Sequence, residues 1–144
     1  MFDSGIINKL VILGLALGVA GIYFYGPNDH SGKQTWVEPS KDPWFIENIA
    51  SESKPVLVKF GADWCPPCRA MDQTLESVAA TLDPKVKVIR VNVDEQPAIA
   101  AHYRVSSIPR TFLFYQGNVL ANQLGALDSD ELIAWVDKSL SKIQ

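Results

Sequence analysis

The chain of 144 residues has room for one domain of ordinary size and some additional length. Its apolar fraction of 47% and its charged fraction of 20% are typical of a protein that can build a hydrophobic core. The net charge is -3 and the thirteen Lys and Arg residues form no basic cluster, so no nucleic-acid partner is expected.

The first segment of note is apolar and extends from Ile6 to Tyr25, with Asn8 and Lys9 as its only strongly polar residues. Its length is about what a helix needs to cross a hydrocarbon core of ~30 Å. Residues 1–25 are therefore predicted to form an N-terminal transmembrane helix that anchors the chain in a membrane.

A cleaved signal peptide is the alternative interpretation of this segment, because Gly18-Val19-Ala20 loosely resembles a small-x-small cleavage site. The apolar run continues past that site to Tyr25, which favours a retained anchor. Both interpretations place the rest of the chain on the extracytoplasmic (periplasmic) side. Residues 26–41 are rich in Gly, Pro, Ser, Asn and Lys and are predicted to be a tether to a domain at 42–144.

Within the domain, predicted helices and strands follow the order α-β-α-β-α-β-β-α, which indicates an α/β fold with helices on both faces of a mixed sheet. The predicted elements are helix 42–50, strand 55–60, helix 65–82, strand 85–93, helix 97–103, strands 111–115 and 119–124, and a final helix after Asp128. Asp128 and Glu131 form a capping-box pattern, and Gln116-Gly117-Asn118 indicates a hairpin. The apolar stripe of helix 65–82 is predicted to consist of Ala70, Met71, Leu75, Val78, Ala79 and Leu82.

The two cysteines of the chain, Cys65 and Cys68, lie in the sequence WCPPC and allow three interpretations. A structural disulfide is disfavoured because so small a loop constrains the unfolded chain little. A zinc site is disfavoured because C-x-x-C supplies half of the ligands and His30 and His102 are the only histidines. The third interpretation is a reactive dithiol.

The reactive interpretation depends on where Cys65 lies. It follows a predicted strand and a short loop, so it should begin a helix, where unpaired backbone N–H groups and the helix dipole favour a negative charge. Pro66 favours an extended conformation at Cys65, and Pro66 and Pro67 are tolerated in a first helical turn. Cys68 lies one turn later and should be more buried. Cys65 is thus the predicted nucleophile and Cys68 the resolving thiol.

The stretch VLVKFGADWCPPCRAM and the later stretch VNVDEQPAIAAHYRVSSIPRTFLFYQGNVLANQLGAL resemble the thioredoxin family over about residues 42–141. The cysteine motif is joined by the Ile108-Pro109 dipeptide and by Gly117 and Gly125. The resemblance implies a thioredoxin fold, a central mixed β-sheet flanked by helices. It also implies a cis Ile108–Pro109 bond beside the cysteines and a groove that takes an extended peptide.

The same resemblance implies the roles of further residues. Trp64 would flank the nucleophile as part of the surface on which a client docks. The residues implied to line or support the substrate groove are Trp64, Pro66, Pro67, Ile108 and Pro109. The redox-active Cys65–Cys68 disulfide would serve without a bound cofactor or metal.

Several positions depart from a typical cytoplasmic thioredoxin. Pro66-Pro67 replaces Gly-Pro, Arg110 replaces a threonine, and Lys59 replaces a buried aspartate that commonly pairs with a lysine where Arg90 stands. Lys59 either points outward with its stem covering apolar surface, or it lies below Cys68 and, with Arg90, favours the thiolate. The second arrangement would make the protein more oxidising.

These features together predict a thiol-disulfide oxidoreductase, a membrane-tethered reductase of protein disulfides. Its partners would be client proteins with disulfides or thiols and a membrane dithiol electron carrier, with residues 6–25 in the membrane. The placement resembles the TlpA/DsbE-type reductases, although the interval between the cysteines and Pro109 leaves no space for their extra segment. The alternatives are a disulfide oxidase or isomerase using the same pair, and a non-catalytic peptide-binding or chaperone-like module.

Overall fold

The computed structural model describes residues 37–143 of the chain. These contain four strands: β1 (Val56–Gly61), β2 (Lys87–Asn92), β3 (Arg110–Tyr115) and β4 (Asn118–Leu124). The strands form one sheet in the order β2-β1-β3-β4, in which β1 and β2 are parallel and β3 is antiparallel to both β1 and β4. The predicted mixed sheet is confirmed, and β1 is one of its two central strands.

The helices are α1 (Pro43–Phe45), α2 (Pro66–Ser77), α3 (Ala79–Leu82), α4 (Pro97–His102) and α5 (Ser129–Leu140). The first continues directly into a wider π-helical turn at Ile46–Ala50. Helix α1 begins at the position predicted from Asp42-Pro43. The Asp42 carboxylate caps it by accepting hydrogen bonds from the Trp44 and Phe45 N–H groups. The predicted capping box at the start of α5 is also confirmed.

The two faces of the sheet carry separate hydrophobic cores, since successive side chains of a strand point to opposite faces. Val56, Val58 and Phe60 of β1 pack on one face with residues of α1 and α4. Leu57 packs on the other face with residues of α2, α3 and α5. Helices therefore cover both faces, as predicted. Lys59 shares the face of Leu57 and is directed toward α2.

The prediction of one continuous helix over residues 65–82 was wrong. Helix α2 ends at Ser77, and the backbone at Val78 leaves the helical region with φ -105° and ψ 7° before α3 begins. Ala70 and Ala79 are exposed and do not belong to the apolar stripe. The buried positions are spaced by three or four residues, the spacing of one helix face. They are Cys68, Met71, Leu75, Val78 and Leu82.

Residues 37–41, assigned to the tether from the sequence, contact the domain. The Ser40 N–H donates to the Tyr103 hydroxyl at 3.1 Å, and His102 Nε2 lies 2.7 Å from the carbonyl oxygen of Glu38. Burial raises the pKa of Tyr103 to about 12, and the hydrogen bond from Ser40 opposes that rise. Tyr103 is therefore a neutral core residue, and its hydroxyl binds the backbone of Ser40 and so holds residues 37–41 against the domain.

The predicted membrane anchor at residues 1–25 lies outside the described residues. Between residues 37 and 143, no helix is long and apolar enough to cross a bilayer. The anchor, and the choice between an anchor and a cleaved signal peptide, thus stay predictions from the sequence.

Candidate active site

The loop after β1 brings both cysteines to the start of α2. Cys65 is the N-cap of this helix and has an extended backbone, with φ -96° and ψ 106°. Pro66 and Pro67 occupy the first two helical positions and Cys68 follows them in the same turn. The N-cap position predicted for Cys65 is confirmed, and the prolines account for it, because a residue before proline disfavours the helical conformation.

Cys65 and Cys68 form a disulfide whose two Cα atoms lie 5.3 Å apart. Cys65 is 4% exposed to solvent and Cys68 is fully buried. The two residues pack with Ala62, and Val93 and Ile108 complete the cluster. Cys68 is the more deeply buried cysteine, as predicted, and Cys65 has only a narrow opening to solvent.

The start of α2 offers fewer free backbone N–H groups than expected from the sequence. Pro66 and Pro67 carry no N–H group. The Cys68 N–H donates to the Cys65 carbonyl oxygen at 3.1 Å, and the Arg69 N–H donates to the same oxygen at 3.2 Å. The expectation of unpaired N–H groups beside Cys65 was therefore wrong. The helix dipole is the backbone contribution that remains there.

An apolar surface surrounds the opening at Cys65. Trp64 is 67% exposed, and its indole N–H donates to Asp94 Oδ2 at 2.8 Å, which fixes the orientation of the ring. Pro66 and Pro67 are exposed beside it. Such a patch of exposed apolar groups is typical of a surface that binds another protein.

Ile108 and Pro109, implied for the other side of the groove, lead into β3. The Ile108–Pro109 peptide bond is cis, as the resemblance implied. Ile108 is half-buried against the cysteine cluster, and Pro109 is buried immediately before β3. Trp64, Pro66 and Pro67 thus adjoin the cysteines in the chain and Ile108 packs against them, whereas the role of all five residues in client binding stays a prediction.

The zinc interpretation of the cysteine motif finds no further ligands in the part of the chain that the structure describes. Across residues 37–143, no three His, Cys, Asp or Glu side chains are grouped so that they could hold a metal ion. The ring of His102 lies against the carbonyl oxygen of Glu38 at the end of α4. His30 lies outside the described residues.

Comparison with known proteins agrees with this geometry. The family model Thioredoxin matches residues 36–138. The chain belongs to the thioredoxin family. It is 36% identical over 99 residues to a thioredoxin of Rickettsia bellii and 38% identical over 99 residues to a thioredoxin of Rhodospirillum rubrum. Each alignment covers 69% of this chain and 94% or 95% of the relative. Thioredoxin 1 of Synechococcus elongatus is 36% identical, with 69% of this chain and 92% of the relative covered.

Membership of the thioredoxin family gives the disulfide its chemistry. The protein is a thiol-disulfide oxidoreductase, and Cys65–Cys68 is its active-site pair. Its clients are protein thiols and disulfides. The sequence prediction of a redox-active pair is confirmed.

Lys59 stands where thioredoxins commonly carry a buried aspartate, and the structure places it below Cys68. Lys59 is 4% exposed to solvent. A Cβ added to Gly61 would lie 2.7 Å from Lys59 Nζ and 3.3 Å from Cys68 Sγ. The ammonium and the sulfur therefore both lie beside Gly61, which has no side chain to separate them. The outward-pointing interpretation of Lys59 was wrong, because the alternation of β1 directs this side chain toward α2.

Asp72, which no pattern in the sequence singled out, supplies the carboxylate that β1 lacks. Its oxygens lie 2.8 Å and 2.9 Å from Lys59 Nζ, and Oδ1 lies 3.0 Å from Arg90 Nε. Asp72 is four residues after Cys68, the spacing that brings two side chains to one helix face. Arg90 reaches it because β2 pairs with β1 so that Arg90 is the partner of Lys59. Arg90 thus contacts Asp72, and it is the Lys59 ammonium that faces the cysteine.

Proposed function

We propose that this thioredoxin-family protein is a membrane-tethered reductase of protein disulfides whose domain faces the extracytoplasmic side. The observation that carries the catalytic part is the Cys65–Cys68 disulfide at the start of α2, beside exposed Trp64 and cis Ile108–Pro109. The reducing direction is supported by the relatives, which are named thioredoxins and align over nearly their whole length. Thioredoxin itself has a strongly reducing potential.

The reaction begins when the Cys65 thiolate attacks one sulfur of a client disulfide. The client disulfide breaks, its second sulfur leaves with the electron pair and takes up a proton, and a mixed disulfide with Cys65 remains. Cys68 then loses its proton and attacks Cys65. The client sulfur leaves and is protonated, so the client has gained two electrons and two protons. A partner dithiol, which we assign to a membrane carrier, reduces the Cys65–Cys68 disulfide again.

The groove fits an extended client segment. Trp64, Pro66 and Pro67 would contact the client side chains next to its cysteine, and the backbone that leads into Pro109 would pair with the client main chain. The same atoms can donate a disulfide to a client with two thiols, so direction depends on the potential of the pair. Oxidase or isomerase activity is the second candidate because Lys59 lies below Cys68.

The reduction potential of the Cys65–Cys68 pair tests the reductase assignment. We expect the full-length protein, equilibrated in glutathione buffers, to give a two-electron couple near that of thioredoxin, at about -270 mV. A value near that of the oxidant DsbA, about -120 mV, would overturn it and favour the oxidase or isomerase. The double variant Cys65→Ser/Cys68→Ser is the control, because it lacks both thiols and should show no such couple. Absence of a reversible couple in the wild-type protein would refute catalysis.

The membrane assignment is supported by the apolar run from Ile6 to Tyr25 and is tested by fractionation. We expect the full-length protein to stay with membranes through salt and alkaline washes. The variant Leu13→Asp/Leu17→Asp should be released, since each charge at the centre of a spanning helix costs about 2.5–3.5 kcal/mol. A shortened wild-type protein in the soluble fraction would instead indicate a cleaved signal peptide.

A further inference from the structure

We propose that buried Lys59 and partly exposed Asp72 form a charge pair that tunes the resolving thiol, the ammonium favouring the Cys68 thiolate and the carboxylate opposing it. The inference rests on the proposed function in taking Cys68 as the resolving residue. It assigns to this chain a positioning pair of reversed polarity, because a cation on β1 stands where a family member usually has an anion.

The position of Lys59 gives the pair its access to the sulfur. Its Nζ and the Cys68 Sγ lie 2.7 Å and 3.3 Å from the point where a Gly61 Cβ would be, so at most about 6 Å separates the two atoms, a range in which one charge shifts the pKa of another group. When the disulfide is reduced, the Cys68 sulfur can carry a negative charge in a fully buried position. Burial disfavours such a charge, whereas a cation within a few ångströms favours it.

The position of Asp72 explains how a cation is kept there. A buried ammonium without a partner is costly, and both carboxylate oxygens of Asp72 lie within 2.9 Å of Lys59 Nζ. The Asp72 side chain is 30% exposed and is also bonded to Arg90, so it approaches Lys59 from the solvent side. Asp72 thus holds the ammonium toward Cys68 while reducing the positive potential at the sulfur.

A cleft of about 340 Å³ is lined by both members of this pair. Its charged lining residues come from β1 and the loop after it, from α2, from β2 and from the turn after β2. They are Lys59, Asp63, Arg69, Asp72, Arg90 and Glu95. The lining holds three cations and three anions, and Lys59 is the cation whose ammonium lies with Cys68 Sγ beside Gly61.

The pair acts on the resolving step. Cys68 gives up its proton, and the proton leaves toward solvent through the cleft. The thiolate then attacks Cys65 Sγ, the Cys65–Cys68 bond forms, and the bond from Cys65 to the client sulfur breaks. The client sulfur keeps the electron pair and takes a proton. Lys59 favours this step by stabilising the thiolate before the attack.

The test measures the pKa of the Cys68 thiol in the full-length Cys65→Ser background, from the ultraviolet absorbance of the thiolate. We expect Lys59→Gln to raise this pKa by about one unit and Asp72→Asn to lower it by about one unit. The double variant Lys59→Gln/Asp72→Asn should return close to the starting value, because both charges are then absent. Opposite shifts distinguish a charge effect from simple loosening, which would move both variants the same way.

A second readout uses the intact cysteine pair in buffers alkaline enough to ionise Cys68. There Lys59→Gln should shift the glutathione equilibrium about tenfold toward the disulfide, which is about 30 mV, and Asp72→Asn about tenfold toward the dithiol. Asp72→Glu should restore the wild-type value. The matched control is Asp137→Asn, which removes a surface carboxylate bonded to Lys85 and should change neither readout.

Shifts of the same sign in the two single variants, or none, would overturn the charge-pair proposal. Asp72 is partly exposed, so Asp72→Asn and Asp72→Glu decide the question even where Lys59→Gln fails to fold. The proposed function fails in different ways, through the absence of a reversible couple in the wild-type protein or through a wild-type potential near that of DsbA. An intact couple with an unmoved thiol pKa would refute the pair alone.

Discussion

Replacing Cys68 by serine is expected to leave the protein covalently joined to its clients through Cys65. The variant can still attack a client disulfide, because Cys65 is the cysteine with an opening to solvent. It has no thiol to break the mixed disulfide, so turnover stops after the first half of the reaction. The full-length variant, incubated with a disulfide-bonded model protein, should give a stoichiometric adduct on a non-reducing gel that disappears on reduction.

The control for this capture is the double variant Cys65→Ser/Cys68→Ser, which should form no adduct. The single variant Cys65→Ser should also form none, since Cys68 is fully buried beneath Cys65. Retention of the model protein by all three variants, with no covalent adduct, would support the peptide-binding module and contradict the enzyme. Adducts formed through Cys68 alone would show that the roles of the two cysteines are reversed.

Truncating Phe114 to alanine is expected to lower the free energy of unfolding by about 3–5 kcal/mol. Phe114 is fully buried, and its ring lies 5.4 Å from that of Phe45, 5.1 Å from that of Tyr103 and 5.8 Å from that of Phe112. The loss combines the apolar area of the ring with a cavity between β3 and the helices that cover it. A domain of this size has a total stability of about 5–15 kcal/mol, so the variant should be marginal.

Chemical denaturation of the full-length protein followed by circular dichroism measures this cost. Leu124→Ala is the matched control on the neighbouring strand, because Leu124 is 52% exposed and its truncation should change stability by less than about 0.5 kcal/mol. Equal costs for the two variants would contradict the packing of the aromatic cluster. A cost below about 1 kcal/mol for Phe114→Ala would mean that the neighbouring rings close the cavity.

Features governed by neighbouring residues in the chain could be predicted from the sequence. Pro66 fixed the extended backbone at Cys65, and Asp128 with Glu131 marked the start of the last helix. The loss of N–H donors at Pro66 and Pro67 also follows from the sequence, because proline has no backbone N–H group. The order of strands and helices followed from their hydrophobic periods.

Features governed by packing could not be predicted in the same way. Asp72 looked like one more polar residue on an exposed helix face, and only the parallel pairing of β1 with β2 brings Arg90 to Lys59 and hence to Asp72. The interruption at Val78 also depends on tertiary structure, since nothing in the local sequence forbids a continuous helix. Resemblance to the family pointed to the aspartate that β1 lacks. It did not point to Asp72 of α2, which supplies a carboxylate in its place.

The placement of the disulfide has a consequence for which proteins can be served. Cys65 lies between a fully buried strand and the packed start of α2, with 4% of its surface open. An attack on a disulfide requires the three sulfurs to approach a line, and a site built on rigid elements cannot turn to meet its target. The client disulfide must therefore reorient to bring its sulfurs into line with Cys65 Sγ. Disulfides in mobile or partly unfolded segments should therefore react, whereas those in the cores of folded proteins should be spared.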